Sequence, residues 1–144
     1  GNSWKIGINN PRAKDNATQE EAIVGYIAVK DKAVSTAADN QRYIEKDGQR
    51  YHHILDPKTG FPANSGLMSV TLVADSSFES DAFDTAVFIL GLDQGRKLLR
   101  QLGNVEAIFV TIAKKIFVTD GLKEKFKFHD ASNEYRYIQD NHSR

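Results

Sequence analysis

The chain has 144 residues, a length typical of one domain. Lys plus Arg and Asp plus Glu both number 19, so the net charge is zero, and no segment combines clustered basic residues with aromatic ones. The lack of cysteine excludes disulfides and thiol catalysis, and no apolar run approaches the ~20 residues of a membrane span. We therefore expect neither a nucleic-acid partner nor a spanning helix, whereas composition leaves the compartment open.

The first part of the chain carries strand patterns separated by polar loops. Three segments have the alternation or the β-branched content of strands: residues 4–8, 22–29 and 33–36. The dipeptide Asp47-Gly48 then separates alternating segments at 42–46 and 49–54, and Asp-Gly strongly favours a two-residue hairpin turn. We expect this hairpin to bring His52 and His53 to the edge of the sheet.

The middle of the chain predicts a strand followed by two helices. Residues 67–73 are rich in β-branched side chains, and Ser76 with Glu79 forms a capping box that predicts a helix over residues 77–90. Gly91 ends that helix, and a second helix is predicted over residues 93–102.

The last part of the chain returns to strands. A hairpin is predicted from segments 106–112 and 115–118, and an edge strand around Tyr137, with residues 142–144 frayed. The order of strands, helices and strands predicts an α+β domain, in which a mixed or antiparallel sheet with hairpins packs on a pair of helices.

Asp81 and Thr85 are the first candidates for a functional site. They lie at positions i and i+4, so they project from one face of the predicted helix, on the stripe of Phe78, Phe88 and Ile89. This placement predicts that they face the interior or a pocket wall. A carboxylate and a hydroxyl suit Mg²⁺, which takes oxygen ligands and shares them with water and substrate phosphates. The structural alternative is that the Asp81 carboxylate is stabilised by the helix dipole because it lies near the helix N-terminus, and that the Thr85 hydroxyl donates a hydrogen bond to the Asp81 carbonyl.

Asp84 lies on the same helix, about 100° around from Thr85. We expect it to be solvent-exposed or of secondary importance.

The histidine pair and the loop that follows it are the second candidate. His52 and His53 alternate across a strand, so only one of them can face Asp81. A strand histidine can act as a proton acceptor or serve only in packing. The loop at 56–60 has a structural alternative too: a turn in which Asp56 bonds its own backbone.

Four motifs occur in order along the chain. They are Trp-x-Ile-Gly-Ile-x-x-Pro at 4–11, Ser-Thr-Ala-Ala-Asp at 35–39, Tyr-His-His-Ile-Leu-Asp-Pro-Lys-Thr-Gly at 51–60 and Ser-Asp-Ala-Phe-Asp-Thr-Ala-Val-Phe-Ile-Leu-Gly at 80–91. Together they closely resemble the ApbE-type FAD:protein FMN transferases, formerly labelled thiamine biosynthesis lipoproteins. The resemblance extends to about Phe128. It divides the chain into a flavin transferase portion at 1–128 and a tail or edge strand at 129–144.

The resemblance implies an activity and a set of site residues. Such an enzyme splits FAD, attaches FMN to a Thr or Ser hydroxyl of an acceptor protein and releases AMP, with Mg²⁺ required. Asp81 and Thr85 match the metal-binding side chains, and His53 matches the proposed catalytic histidine. Four further residues match positions that line or shape the flavin site: Thr36, Asp56, Thr59 and Gly60.

The chain also departs from the family pattern. The family usually has Thr-Ser-Gly-Asp-Tyr where this chain has Thr-Ala-Ala-Asp-Asn at 36–40. Family members also carry many more residues upstream, so this chain is either their C-terminal part, which we expect, or a natural short form that borrows the missing half. Exposed edges of such an incomplete fold favour a homodimer. The resemblance further implies that the complete protein lies outside the cytoplasmic membrane, on a lipoprotein anchor.

Other functions stay open at this point. The altered segment at 36–40 favours a flavin- or nucleotide-binding module without transferase activity, whereas intact His53, Asp81 and Thr85 oppose it. Hydrolysis of FAD to FMN and AMP would need the same metal site. A role as the acceptor of flavinylation lacks the expected acceptor motif in this sequence.

Overall fold

The computed structural model describes residues 2–41 and 43–139, without the side chains of Tyr43 and Arg50. These residues form ten strands, one long helix and a short 3₁₀ helix. The strands are β1 (Trp4–Asn9), β2 (Ile23–Val29), β3 (Ala33–Ala38), β4 (Tyr43–Lys46), β5 (Gln49–His52), β6 (Leu67–Ala74), β7 (Glu106–Thr111), β8 (Lys115–Val118), β9 (Phe126–Phe128) and β10 (Arg136–Tyr137). The long helix is α1 (Ser77–Leu102), and the 3₁₀ helix is Asp120–Leu122.

Two sheets and the helix stack in three layers. The five-stranded sheet has the order β10-β8-β7-β6-β3 and is antiparallel except where β10 runs parallel to β8. The three-stranded sheet has the antiparallel order β1-β2-β9, and β4 pairs with β5. The predicted α+β class is confirmed.

The five-stranded sheet lies between two apolar clusters. Met68 and Val73 of β6 face the cluster shared with β1 and β2, whereas Val70 and Leu72 face α1. Side chains alternate across a strand, so covering both faces buries all eight residues of β6.

Several local predictions are confirmed. Asp47 and Gly48 both have positive φ, 53° and 75°, as a primed hairpin turn requires. Ser76 caps α1 by accepting a hydrogen bond from the Glu79 amide at 3.2 Å. The two predicted helices are the two halves of α1, which has a non-helical residue at Gly91.

The predicted place of the β4–β5 hairpin is wrong. Among the residues that the structure describes, these two strands pair only with each other, so they form a separate two-stranded sheet rather than an edge of the main one. A tight turn fixes the pairing of its own two strands and does not determine whether they join a larger sheet. The first residue of the predicted segment 42–46 lies outside the described residues.

The C-terminal region contains a predicted strand and an unpredicted one. β10 is the expected edge strand, and β9 was not predicted because three residues carry too little pattern. The division of the chain at residue 128 stays a prediction, as does the fraying of residues 142–144, which lie outside the described residues.

No helix within the described ranges is long and apolar enough to cross a membrane.

Candidate functional site

Asp81 and Thr85 lie on the exposed side of α1, which makes the expectation that they face the interior wrong. Both are exposed, and Phe78 on the same stripe is 82 % exposed. The stripe about 100° away is buried and includes Ser80 and Val87, and of the predicted stripe only Phe88, further along the helix, is fully buried. Because the five-stranded sheet covers that neighbouring stripe, the metal candidates face outward.

Asp84 accepts hydrogen bonds from Thr85, and its secondary importance to the site stays a prediction. Its half-buried carboxylate accepts hydrogen bonds at Oδ1 from the Thr85 amide at 2.6 Å and from the Thr85 hydroxyl at 3.2 Å. The hydroxyl proton therefore points to Asp84 rather than to the Asp81 carbonyl. The lone pairs of Thr85 Oγ1 remain able to accept a cation.

The oxygen donors on this helix fit a hard cation held only in part by protein. Across residues 2–41 and 43–139, no group of three or more His, Cys, Asp or Glu side chains lies close enough together to hold a metal ion. Mg²⁺ is commonly bound by one or two carboxylates, with water and substrate phosphates as its other ligands. Asp81 and Thr85 offer such a partial set, and Asp84 adds negative charge beside them.

His52 and His53 point to different surroundings. The His52 ring packs edge-on against Phe88 of α1, with ring centroids 5.6 Å apart, and its Nε2 lies 2.9 Å from the Ala63 carbonyl oxygen. His53 comes directly after β5 and is exposed. The histidine that faces the helix is therefore His52, whereas the predicted base is at the surface.

The loop after the histidines has the geometry of its structural alternative. Asp56 Oδ1 accepts from the Lys58 amide at 2.9 Å, and the Asp56 carbonyl accepts from the Gly60 amide at 2.8 Å. Thr59 Oγ1 accepts from the Phe61 amide at 3.2 Å, and Gly60 has a φ of 72°. These bonds make the loop a well-defined turn.

Thr36 lies apart from the other candidates. Its hydroxyl is 2.8 Å from the hydroxyl of Thr71, its cross-strand partner on β6. By strand alternation it shares the face of Val34, which packs in the cluster between the two sheets. The five-stranded sheet therefore separates Thr36 from Asp81 and Thr85.

Two neighbours of the site were not singled out from the sequence. Arg12 and Asp39 form a bidentate ion pair, with bonds of 2.7 Å and 2.6 Å, and Asp39 is buried. Asp39 also lines a cavity of about 370 Å³ together with His52, Asn64 and Ile112. The position of Asp39 in the motif at 35–39 was an available signal, whereas nothing local indicated Arg12.

A cavity of about 420 Å³ beside the second half of α1 is lined by none of the predicted site residues.

The comparisons with known proteins agree with the motifs. The sequence model described as the ApbE family matches residues 1–109. The chain is 38 % identical over 128 residues to a FAD:protein FMN transferase of Treponema pallidum, covering 89 % of this chain and 34 % of the relative. A Klebsiella pneumoniae protein of the same name is 34 % identical over 135 residues, covering 94 % of this chain and 40 % of the relative.

A solved structure agrees as well. The crystal structure of the ApbE protein from Thermotoga maritima superposes with a TM-score of 0.71 at 37 % identity, covering 84 % of this chain and 37 % of that one. The chain thus spans between a third and two-fifths of the length of these relatives. The expectation that it corresponds to their C-terminal part is not borne out by the comparisons. The extent and agreement of the matches show that the chain belongs to the ApbE family.

Proposed function

We propose that this chain is a portion of a Mg²⁺-dependent transferase that moves FMN from FAD to a Thr or Ser hydroxyl of an acceptor protein and releases AMP. The observation that carries the proposal is the outward-facing pair Asp81 and Thr85, with Asp84 accepting the hydroxyl proton of Thr85. The names of the relatives, FAD:protein FMN transferase, support the same reaction.

In this proposal Asp81 and Thr85 hold the metal, and Asp84 orients Thr85. Mg²⁺, when bound, supplies charge neutralisation for a pyrophosphate. Asp84 fixes the direction of the Thr85 hydroxyl, so that Oγ1 presents lone pairs outward. Because Asp81 and Thr85 are exposed, a large substrate such as FAD can reach them.

His53 accepts the proton of the attacking hydroxyl. The hydroxyl oxygen of the acceptor bonds to the phosphorus of FMN, the phosphoanhydride bond to AMP breaks, and the hydroxyl proton moves to the His53 ring. A histidine suits this role because its ordinary pKa lies near neutrality. The exposure of His53 supports the proposal, since an acceptor protein has to approach it from outside.

The remaining predicted residues shape the flavin site in this proposal. Asp56, Thr59 and Gly60 act by holding the loop after His53 in one conformation. Thr36 affects the flavin site only indirectly, through the position of the five-stranded sheet, because its hydroxyl is hydrogen-bonded to Thr71. A location outside the cytoplasmic membrane, with a lipoprotein anchor, belongs to the same proposal and rests on the resemblance alone.

The test is calorimetric titration of FAD with and without Mg²⁺, combined with an assay for AMP and for flavin bound covalently to an acceptor protein. We expect Asp81→Ala to abolish Mg²⁺-dependent FAD binding and AMP release in the full-length protein, because it removes the carboxylate ligand. Asp93→Ala is the matched control, since Asp93 is also an exposed aspartate of α1.

Unchanged Mg²⁺-dependent binding and AMP release in Asp81→Ala would refute the metal assignment. Release of AMP with free FMN, and no flavin on the acceptor, would identify a hydrolase instead. Flavin binding without AMP release would identify a binding module.

A further inference from the structure

We propose that His52 is a positioning residue that fixes the candidate base His53 relative to α1. The role of His52 as such rests on the proposed function, whereas the geometry behind it can be measured separately. The proposal starts from the three contacts that the His52 ring makes.

The hydrogen bonds assign one tautomer to His52. The Ile54 amide donates to Nδ1 at 3.2 Å, so Nδ1 carries no proton. In the neutral ring the proton is then on Nε2, which donates to the Ala63 carbonyl oxygen at 2.9 Å. Both ring nitrogens are therefore engaged by backbone groups.

These two bonds join the two ends of the loop that follows His53. We call these ends, residues 54–55 and 62–63, the neck of the loop. The Ala63 amide donates to the Ile54 carbonyl at 2.9 Å, and Leu55 forms a bridge with Pro62. The His52 ring adds a bond to each side of this neck, one to Ile54 and one to Ala63. His53 lies between His52 and Ile54 in the chain, so both of its backbone neighbours are fixed by the same ring.

The third contact joins the neck to the helix that carries the metal candidates. The edge of the His52 ring meets Phe88 at an interplanar angle of 83°, and Phe88 is fully buried. Phe88 lies three residues after Thr85, one helical turn along α1. His52 thus links the base and the metal candidates through one side chain.

A second contact between the loop and the helix lies close by. At Gly91 of α1, a side-chain Cβ would lie 2.9 Å from the Ser65 carbonyl oxygen. The segment from Ala63 to Ser65 therefore packs against α1. Because this packing restrains the segment, His52 donates its hydrogen bond to a part of the loop that cannot shift freely. This packing makes His52 a link between two fixed elements rather than an isolated packing residue.

Three variants of His52 separate positioning from packing. His52→Gln keeps a donor where Nε2 lies, His52→Asn keeps an acceptor where Nδ1 lies, and His52→Phe keeps a ring beside Phe88 while removing both hydrogen bonds. We expect His52→Phe to lower kcat for FMN transfer by on the order of tenfold to a hundredfold in the full-length protein. We expect Mg²⁺-dependent FAD affinity to stay the same, and His52→Gln to recover most of the loss because it restores the bond to Ala63.

The geometry is measured on the 144-residue chain without any activity assay. Long-range ¹H–¹⁵N spectra should show His52 with its proton on Nε2, and hydrogen exchange should show slow amides at Ile54 and Ala63 that become fast in His52→Phe. A proton on Nδ1, or unchanged exchange in His52→Phe, would overturn the proposal. So would equal kcat values for wild type and His52→Phe. If the wild-type protein transfers no FMN, the proposed function fails, and the tautomer and exchange data alone decide whether His52 fixes the backbone around His53.

Discussion

At the scale of single residues, Tyr135 combines a buried aromatic ring with a hydroxyl that is hydrogen-bonded to a distant part of the chain. The Tyr135 side chain is buried, and its hydroxyl donates to Asn10 Oδ1 at 2.6 Å. Burial raises the pKa of Tyr135 to about 12, although the charge of nearby Arg12 opposes the shift. The folded state therefore favours the neutral phenol more strongly than the unfolded chain does.

This pKa shift predicts a loss of stability at alkaline pH. The unfolded pKa is about 10, and the folded pKa is higher, so the contribution of Tyr135 is complete below pH ~10 and is lost as the pH rises toward 12. Tyr135→Phe should cost about 1 kcal/mol at neutral pH, through the lost hydrogen bond, and should flatten the decline between pH 10 and 12. Urea unfolding at several pH values tests this, with exposed Tyr51→Phe as the control. Parallel declines in wild type and Tyr135→Phe would contradict the prediction.

At the scale of elements, Gly91 divides α1 into its two halves. Its φ of 82° and ψ of −175° lie in a region that is essentially restricted to glycine. The close approach of the Ser65 carbonyl adds a steric reason for glycine at this position. The bend therefore depends on both the backbone conformation and the contact with the preceding loop.

Gly91→Ala should destabilise the fold by about 1–3 kcal/mol, or more if the Ser65 contact does not relax. Gly103→Ala is the matched control. Gly103 also has a positive φ, 79°, but a Cβ there meets nothing within 4 Å. The difference in free energy of unfolding between the two variants, measured in denaturant, isolates the contact and the special backbone region at Gly91. Equal losses would show that only positive φ matters.

The elements also show which parts of the structure were predictable. Signals carried by adjacent or nearby residues gave correct predictions. These were the turn at Asp47-Gly48, the cap at Ser76 and the break at Gly91. The face of α1 was predicted wrongly because Phe78 and Phe88 suggested one buried stripe, whereas Phe88 is buried against the sheet and Phe78, at the start of the helix, is exposed. Which helical face a sheet covers depends on the position of β6, and that information is not local.

The histidines illustrate the same limit at the candidate site. Strand alternation predicted that only one of His52 and His53 could face the helix. It could not predict which one, because the deciding contact is with Phe88, far along the chain. The support that Asp84 gives to Thr85 was missed for a different reason: position around a helix does not reveal a hydrogen bond between adjacent residues.

At the scale of the whole molecule, the surface carries unpaired backbone and exposed aromatic rings. Within the described residues, β1 pairs only with β2, so its other edge offers free hydrogen-bonding groups. Trp4 on this strand is 76 % exposed. An open strand edge with an exposed aromatic residue favours pairing with a second copy of the chain.

We therefore predict that the 144-residue chain dimerises as its concentration rises, with light scattering showing a mass that approaches twice that of the monomer. Trp4→Lys should shift this equilibrium toward the monomer because a charge on an edge strand opposes pairing. Leu90→Lys is the control, since Leu90 is an exposed apolar residue on α1. A monomeric mass across a wide concentration range would count against the prediction.

The bond between Tyr135 and Asn10 also bears on the order in which the chain folds. It joins residues 125 positions apart, and β10, next to Tyr135, adds the last strand to the main sheet. Closing so long a loop costs chain entropy, and contacts of this range slow folding. The β7–β8 hairpin joins residues that are close in the chain, whereas the bond between Asn10 and Tyr135 must wait until Tyr135 has been synthesised. This long-range contact is thus expected to form later than the local bonds that Asn10 makes to Glu21 and Ala22.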